Sequence, residues 1–380
     1  MNILKKLALG VAMIGMIFTT ACSGSETASS GNDGEASKEV PTINISWGKE
    51  LHTGIMEIPG ERVEEFKAQG VYFNPISETQ FELIKGDEKL ALINFIPTKG
   101  GSEVATLMSQ GHLDAAFTSN TAILSAVDQG TPAKILAPIQ SDGVGVVFPV
   151  DKDFKNWEDV KNYIQASEMP VKIGYHSPVS GPRIVIESVL KQEGLKVTED
   201  PGETNADVLL VDLKGITNLL PSLSSGQVDA WIGPSHHPEA AEVEGLGKVV
   251  LNLEDLPPNG QWEGFPCCVF AATEKILSEN PEVFEALGEL VTNNAEYCTE
   301  HKEEVAQVMS EVIGVKKEAI MMSKIKYSTE PSDKWINGIG VYVKALTDMD
   351  KLTGTLKEKT YEDIQKEVFD FQYVEKFHEK

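Results

Sequence analysis

Two adjacent pairs, His236–His237 and Cys267–Cys268, are the residues of this 380-residue chain best suited to chemistry. Imidazoles and thiolates are ligands for soft and borderline metal ions, so the pairs could hold one if the fold brings them together. The competing reading is plain burial, because a free cysteine behaves as a small apolar residue. Their spacing matches no zinc-finger pattern. A third group, His176, Ser177, Ser180 and Gly181, forms a hydroxyl-rich turn, and Ser119, Asn120 and Thr121 form another. No nucleophile stands with a base and an orienting group, so the sequence predicts a binding site without catalysis, cofactor or metal.

The elements around these groups read as strand, loop and helix. Val171, Ile173 and Tyr175 give a strand, His176 to Pro182 a turn, and Arg183 to Leu190 a helix. In an open α/β sheet such a loop lies at the carboxyl end of its strand, where free N–H groups of the helix start favour an anion or an acceptor. Thr42 to Trp47 is the first strand, with Lys49, Glu50, Leu51 and His52 on the loop after it. Trp47, at a strand end, suits either the core or a cleft wall. Trp231, inside a strand, reads as core. A helix is expected from Ile58 to Gly70, another from Ser102 to Gln110, and helical residues over 282–313. The order of 71–90 is not legible.

GHLDAAFTSNTAIL, from Gly111, and GQVDAWIGPSHHP, from Gly226, share a helix before and a polar loop after a Gly-x-x-Asp-Ala core. The first loop is read as Thr118 to Thr121, the second as Gly233 to Pro238. The repeat points to two related half-structures. Lys134 to Pro138 and Gly143 to Val150 flank a crossing from one lobe to the other, and Phe265 to Ala272 is the return strand.

Lys5 and Lys6, an apolar run from Leu7 to about Phe18 and small residues before Cys22 describe a secretory signal too short for a comfortable membrane span. The residues before Cys22 resemble a lipobox, with Thr19 where that pattern usually has Leu, which implies lipidation of Cys22. Residues 23–41 are small and polar and read as a tether. The remaining chain is long enough for two domains. The net charge of -25 argues against nucleic acid and against docking on anionic lipid. Cys267, Cys268 and Cys298 are odd in number and form no disulfide framework.

These segments, with QGTPAKILAPI, VKIGYHSPVSGPRIVIESVLKQEGL, GLGKVVLN and SENPEVFEAL in this order, resemble ABC-transporter solute-binding lipoproteins of the nitrate/sulfonate/taurine group, which includes thiamine-pyrimidine binders. PCCVF also resembles, in shortened form, the Cys-rich segment of fungal thiamine-pyrimidine synthases of the same fold. The resemblance implies a type II periplasmic-binding fold, two α/β lobes joined by two crossings, with residues 42–145 and 266–380 in lobe one and 146–265 in lobe two. It implies capture of a small organic solute or oxyanion for a permease and ATPase, on a lipid anchor at the extracytoplasmic face of the cell membrane. A ligand sensor, or a metal-dependent enzyme on the same fold, is the alternative. By position the ligand residues are Trp47, Lys49, Glu50, Leu51, Thr118, Ser119, Asn120 and Thr121 in lobe one. In lobe two they are Tyr175, His176, Ser177, Ser180, Gly181, Gly233, Ser235 and His236.

Overall fold

A computed structural model describes residues 40–378 of the chain. The signal segment, Cys22 and nearly all of the tether lie outside the described residues. The first strands are β1 (Thr42–Trp47), β2 (Val71–Ser77), β3 (Gln80–Lys85), β4 (Glu88–Pro97), β5 (Ala115–Ser119) and β6 (Ala133–Pro138). The middle of the chain adds β7 (Gln140–Ser141), β8 (Val144–Phe148), β9 (Val171–Tyr175), β10 (Val197–Thr198) and β11 (Val208–Asp212). Last come β12 (Ala230–Pro234), β13 (Lys248–Asn252), β14 (Cys268–Thr273) and β15 (Lys326–Tyr327).

Two α/β lobes result, and their sheets are built alike. One sheet has the order β2-β3-β4-β1-β5-β14-β6, the other β10-β11-β9-β12-β8-β13. At the centre of each, a first strand is flanked by two parallel neighbours: β4 and β5 beside β1, β11 and β12 beside β9. The next position is antiparallel in both, filled by β14 in the first and β8 in the second. Each of these two strands comes after a crossing, so each lobe is completed by chain arriving from the other. The segment left unread, 71–90, is the β2–β3 hairpin that widens the first sheet.

The crossings lie side by side. The N–H of Asp142 donates to Phe265 O (3.0 Å) and the N–H of Cys267 to Gln140 O (3.4 Å). Gly143 has φ 67°, and a Cβ there would run into Ile325 and come within 3.1 Å of His52 Nε2, so this turn of the hinge requires glycine. One apolar cluster joins both lobes, another fills the outer side of lobe one, and a small third, around Trp231, backs the second sheet. The Asp333–Asp348 helix packs on helices of both lobes, Gly181–Gln192 and Asn120–Asp128.

Several boundaries differ from expectation for local reasons. The 58–70 helix is two pieces, Ile58–Glu61 and Val63–Gln69, because Arg62 leaves helical angles (φ -124°, ψ 48°). The helical 282–313 region breaks at His301. Thr118 to Thr121 is no loop: β5 runs through Ser119, whose side chain accepts from Ala122 N and starts the Asn120–Asp128 helix directly. Likewise β12 reaches Pro234 and the next helix starts at His237.

Candidate functional site

Between the lobes lies a cavity of about 60 Å³, room for a few waters. Three helix starts border it, at Gly100–Gly101, at Ser119 and at Ser180–Gly181. The positive dipole ends of these helices favour a ligand with acceptor oxygens or negative charge. Gly100, at φ 152°, lets its loop approach lobe two, where a Cβ would stand 3.1 Å from Ser177 Cβ.

Of the sequence-predicted residues, Glu50, Thr118, Ser119, His176, Ser180 and Gly181 line this cavity. Glu50 does so with its oxygens already engaged. It accepts from the N–H groups of His52 (2.5 Å) and Thr53 (2.9 Å) and from the Thr53 hydroxyl, closing the turn after β1. Burial raises its pKa.

The other predicted residues do not border the cavity. Trp47 packs edge-on against Phe95 in the core of lobe one, and with Lys49 borders a separate outer groove. Leu51 is core, its carbonyl accepting from Tyr327 Oη (3.1 Å). Tyr175 turns away, its hydroxyl on Glu199 (3.0 Å) and its ring under Arg183. Gly233 lies against Leu219 and Trp231. Ser235 donates to Glu239, and His236 stacks on His237 with ring centres 4.3 Å apart. Trp231 is wholly buried, as its place inside a strand implied.

Three of the hydroxyl and amide side chains bind protein instead. Thr121 Oγ1 donates to Val179 O (2.6 Å), and Ser177 Oγ meets Ser102 Oγ (3.0 Å), so both fasten one lobe to the other. Asn120 grips the Cys267 carbonyl twice, through its N–H (2.9 Å) and Nδ2 (2.8 Å). That grip holds Cys267 in the turn before β14. Side chains of consecutive strand residues point to opposite faces, but here both thiols reach one cavity, with the sulfurs 3.8 Å apart.

Sequence reasoning missed the partner of those thiols. Among the described residues the cysteines meet His52, not the His236–His237 pair. His52 Nε2 is 2.8 Å from Gly143 O and donates to it, which turns Nδ1 toward Gln140, Cys267 Sγ (3.4 Å) and Cys268 Sγ (4.0 Å). Burial lowers the pKa of His52, but Cys267 outweighs it and the value rises to about 9. Hydrogen bonding from Cys268 acidifies Cys267, and the same bond raises Cys268. Also missed were Thr98 to Gly101 and Phe117, which line the cavity, while Pro234 lies within the loop expected to do so. Gly100–Gly101 directly before the helix expected from Ser102 was the available signal. Burial holds His176 and His236 down at about 4. Their Nδ1 atoms and that of His237 have no partner among the described residues.

Solved structures share this architecture. The nitrate-binding protein NrtA from Synechocystis PCC 6803 superposes with a TM-score of 0.68 at 16% identity, covering 88% of this chain and 87% of that one. The ligand-binding component of an ABC-type import system from Staphylococcus aureus, solved with zinc bound, gives 0.65 at 11% identity over 88% and 97%. The aliphatic sulphonate binding protein SsuA from Escherichia coli gives 0.59 at 13% identity over 88% and 99%. At such identities the likeness establishes the fold, which is that of periplasmic binding proteins. In sequence, uncharacterized protein MJ1180 of Methanocaldococcus jannaschii is 24% identical over 144 residues, 37% of this chain and 92% of that one. The model of the NMT1-like family matches residues 85–314, more than half of the sequence, and the chain belongs to that family.

Proposed function

We propose that the mature chain is the extracytoplasmic solute-binding component of an ABC importer, tethered to the membrane by a lipid on Cys22. The carrying observation is the cavity between two lobes that are joined by paired crossings and bordered by three helix N-termini. Two lobes on such a hinge close over a ligand and open to release it. Residues 42–145 with 266–380 move against 146–265 in this reading. A small organic solute or oxyanion sits among Thr118, Ser119, His176, Ser180 and Gly181, with Glu50 behind them, and is passed unchanged to a permease and its ATPase. No helix among the described residues is long and apolar enough to cross a membrane.

Native mass spectrometry of the tether-to-end protein, followed by thermal shifts against sulfonates, carboxylates, pyrimidines and nitrate, tests this. One molecule released intact and restabilising the protein at 100 times its Kd, by about 2.7 kcal/mol, is the expected result. Conversion of the added compound, or no stabilisation by any class, overturns it. Cys22→Ser is expected to move the protein from the detergent phase to the aqueous phase.

A further inference from the structure

Two thiols and an imidazole meet at the hinge, and solute capture as described makes no use of them. We propose that His52 Nδ1, Cys267 Sγ and Cys268 Sγ form a binding site for a zinc-class divalent cation, with the fourth position open to the interlobe cavity. The site stands independently of transport, since the three donors are in place whatever the solute is.

Geometry is the first support. With metal–sulfur bonds of about 2.3 Å and a metal–nitrogen bond of about 2.0 Å, a tetrahedral ion needs its sulfurs about 3.8 Å apart and each sulfur about 3.5 Å from the nitrogen. The sulfurs are 3.8 Å apart, and Nδ1 lies 3.4 Å from Cys267 and 4.0 Å from Cys268. One sulfur needs to move by about half an ångström to complete the set.

The surroundings give the second support. A metal-binding histidine usually donates its other N–H to a carbonyl or carboxylate, which fixes the tautomer. His52 donates Nε2–H to Gly143 O at 2.8 Å, leaving Nδ1 for the ion. Asn120 fixes the Cys267 peptide by its double contact with the carbonyl. Gln140, 1% exposed, abuts Nδ1 through its amide nitrogen and leaves Oε1 without a partner among the described residues. Turned by half a revolution, that amide replaces the donor beside Nδ1 with an acceptor, so the Nδ1 lone pair stays free for the cation.

Charge is the third. All three ligands are buried, and a buried net charge is costly. Two thiolates balance one dication, and binding releases two protons to solvent, one from Cys268 and one held between Cys267 and His52 Nδ1, so that both sulfurs bind as thiolates and Nδ1 binds through its lone pair. A monovalent soft ion would leave one negative charge. The neighbouring Glu50 is not a ligand here, because its oxygens already serve the turn at His52 and Thr53.

The test is a cobalt titration of the reduced, chelator-treated mature chain under anaerobic conditions. One Co2+ per chain, a thiolate-to-cobalt charge-transfer band with tetrahedral visible bands, and displacement by Zn2+ are expected. Cys267→Ser and Cys268→Ser each weaken binding by at least the ~10–100-fold that accompanies loss of a supporting partner. Cys298→Ser, at a buried thiol on the Pro281–Glu300 helix, leaves it unchanged. Absence of the band in the reduced wild type, which needs no variant, overturns the site. So does a band that persists when Cys267 and Cys268 are both serine, or binding confined to Cu(I). Solute-induced stabilisation is measured in the same chelated protein: its survival when cobalt fails separates loss of this site from loss of the transport reading.

Discussion

The two Gly-x-x-Asp-Ala segments form the same clip and then part. Asp114 donates its N–H to Asn44 O (2.9 Å) and accepts from Asn44 N–H on Oδ2 (2.8 Å). Asp229 does the same to Lys172, at 2.9 Å for both bonds. Each clip joins the start of the third strand to the first, β5 to β1 and β12 to β9. Beyond it, Ala116, Phe117, Thr118 and Ser119 run straight into a capped helix, whereas Trp231, Ile232, Gly233 and Pro234 lead to a buried histidine pair. The shared part of the copies builds a sheet. The unshared part builds the cavity and sets its chemistry.

The sharpest contrast is Ala116 against Trp231, counterparts two residues after the aspartates. Ala116 belongs to the core that joins the lobes, and Trp231 to the small cluster behind the second sheet. Trp231→Ala is expected to cost about 3–5 kcal/mol in denaturant unfolding, as for other buried aromatics. A cost below about 1 kcal/mol would mean that the second copy does not depend on this ring.

Titration distinguishes the lobes next. His176 and His236 have folded values of about 4 against an ordinary 6.5, held down by burial and then by His52. The unfolded chain therefore binds more protons between these values, so stability falls as pH drops from about 6.5 to about 4, by on the order of 3 kcal/mol for each. His52 has the opposite sign: raised to about 9, it contributes stability fully present below 6.5 and lost as pH rises through 9. Urea midpoints across this range should peak near neutral pH. Replacing His176 and His236 by Gln should make the acid limb alone shallower, the remainder belonging to His237, whose value burial also lowers, and an unchanged limb would assign it elsewhere.

A smaller effect concerns the latch. Thr121→Val removes the 2.6 Å bond to Val179 O and leaves that carbonyl only the 3.5 Å contact of Ser119 Oγ, about 1–2 kcal/mol against the closed arrangement. If closure accompanies binding, Kd for the solute rises about 5–30-fold while global stability changes little. Equal losses of both would make the contact structural only.

These contrasts show which features the sequence carried plainly. The repeat, the crossings and most helix ends were legible because glycine punctuation and strand–helix alternation are local: Gly70, Gly111, Gly194 and Gly226 all have positive φ. The cavity was half legible. Position along the chain put Ser119, His176 and Ser180 at strand or helix ends, but it could not show direction. Thr121 and Ser177 reach the other lobe, Tyr175 turns to Glu199, and Trp47 turns into the core. His52 joins Cys267 across 215 residues, a meeting made by the return crossing that no local pattern announces.

The clips themselves allow the finest test of the comparison. Both aspartates make the same pair of bonds, but Asp114 is half-buried and Asp229 exposed. A charged acceptor on a backbone N–H contributes more where water competes less. Asp114→Ala is expected to cost about 1–2 kcal/mol and Asp229→Ala about 0.5 kcal/mol. Asp→Asn at each site keeps an oxygen acceptor and should recover part of the loss. Hydrogen exchange at the amides of Asn44 and Lys172 reads each clip separately, with faster exchange at the mutated lobe alone. Equal costs at the two sites would mean that burial does not set the strength of this contact, and that the halves differ only in the residues beyond the clip.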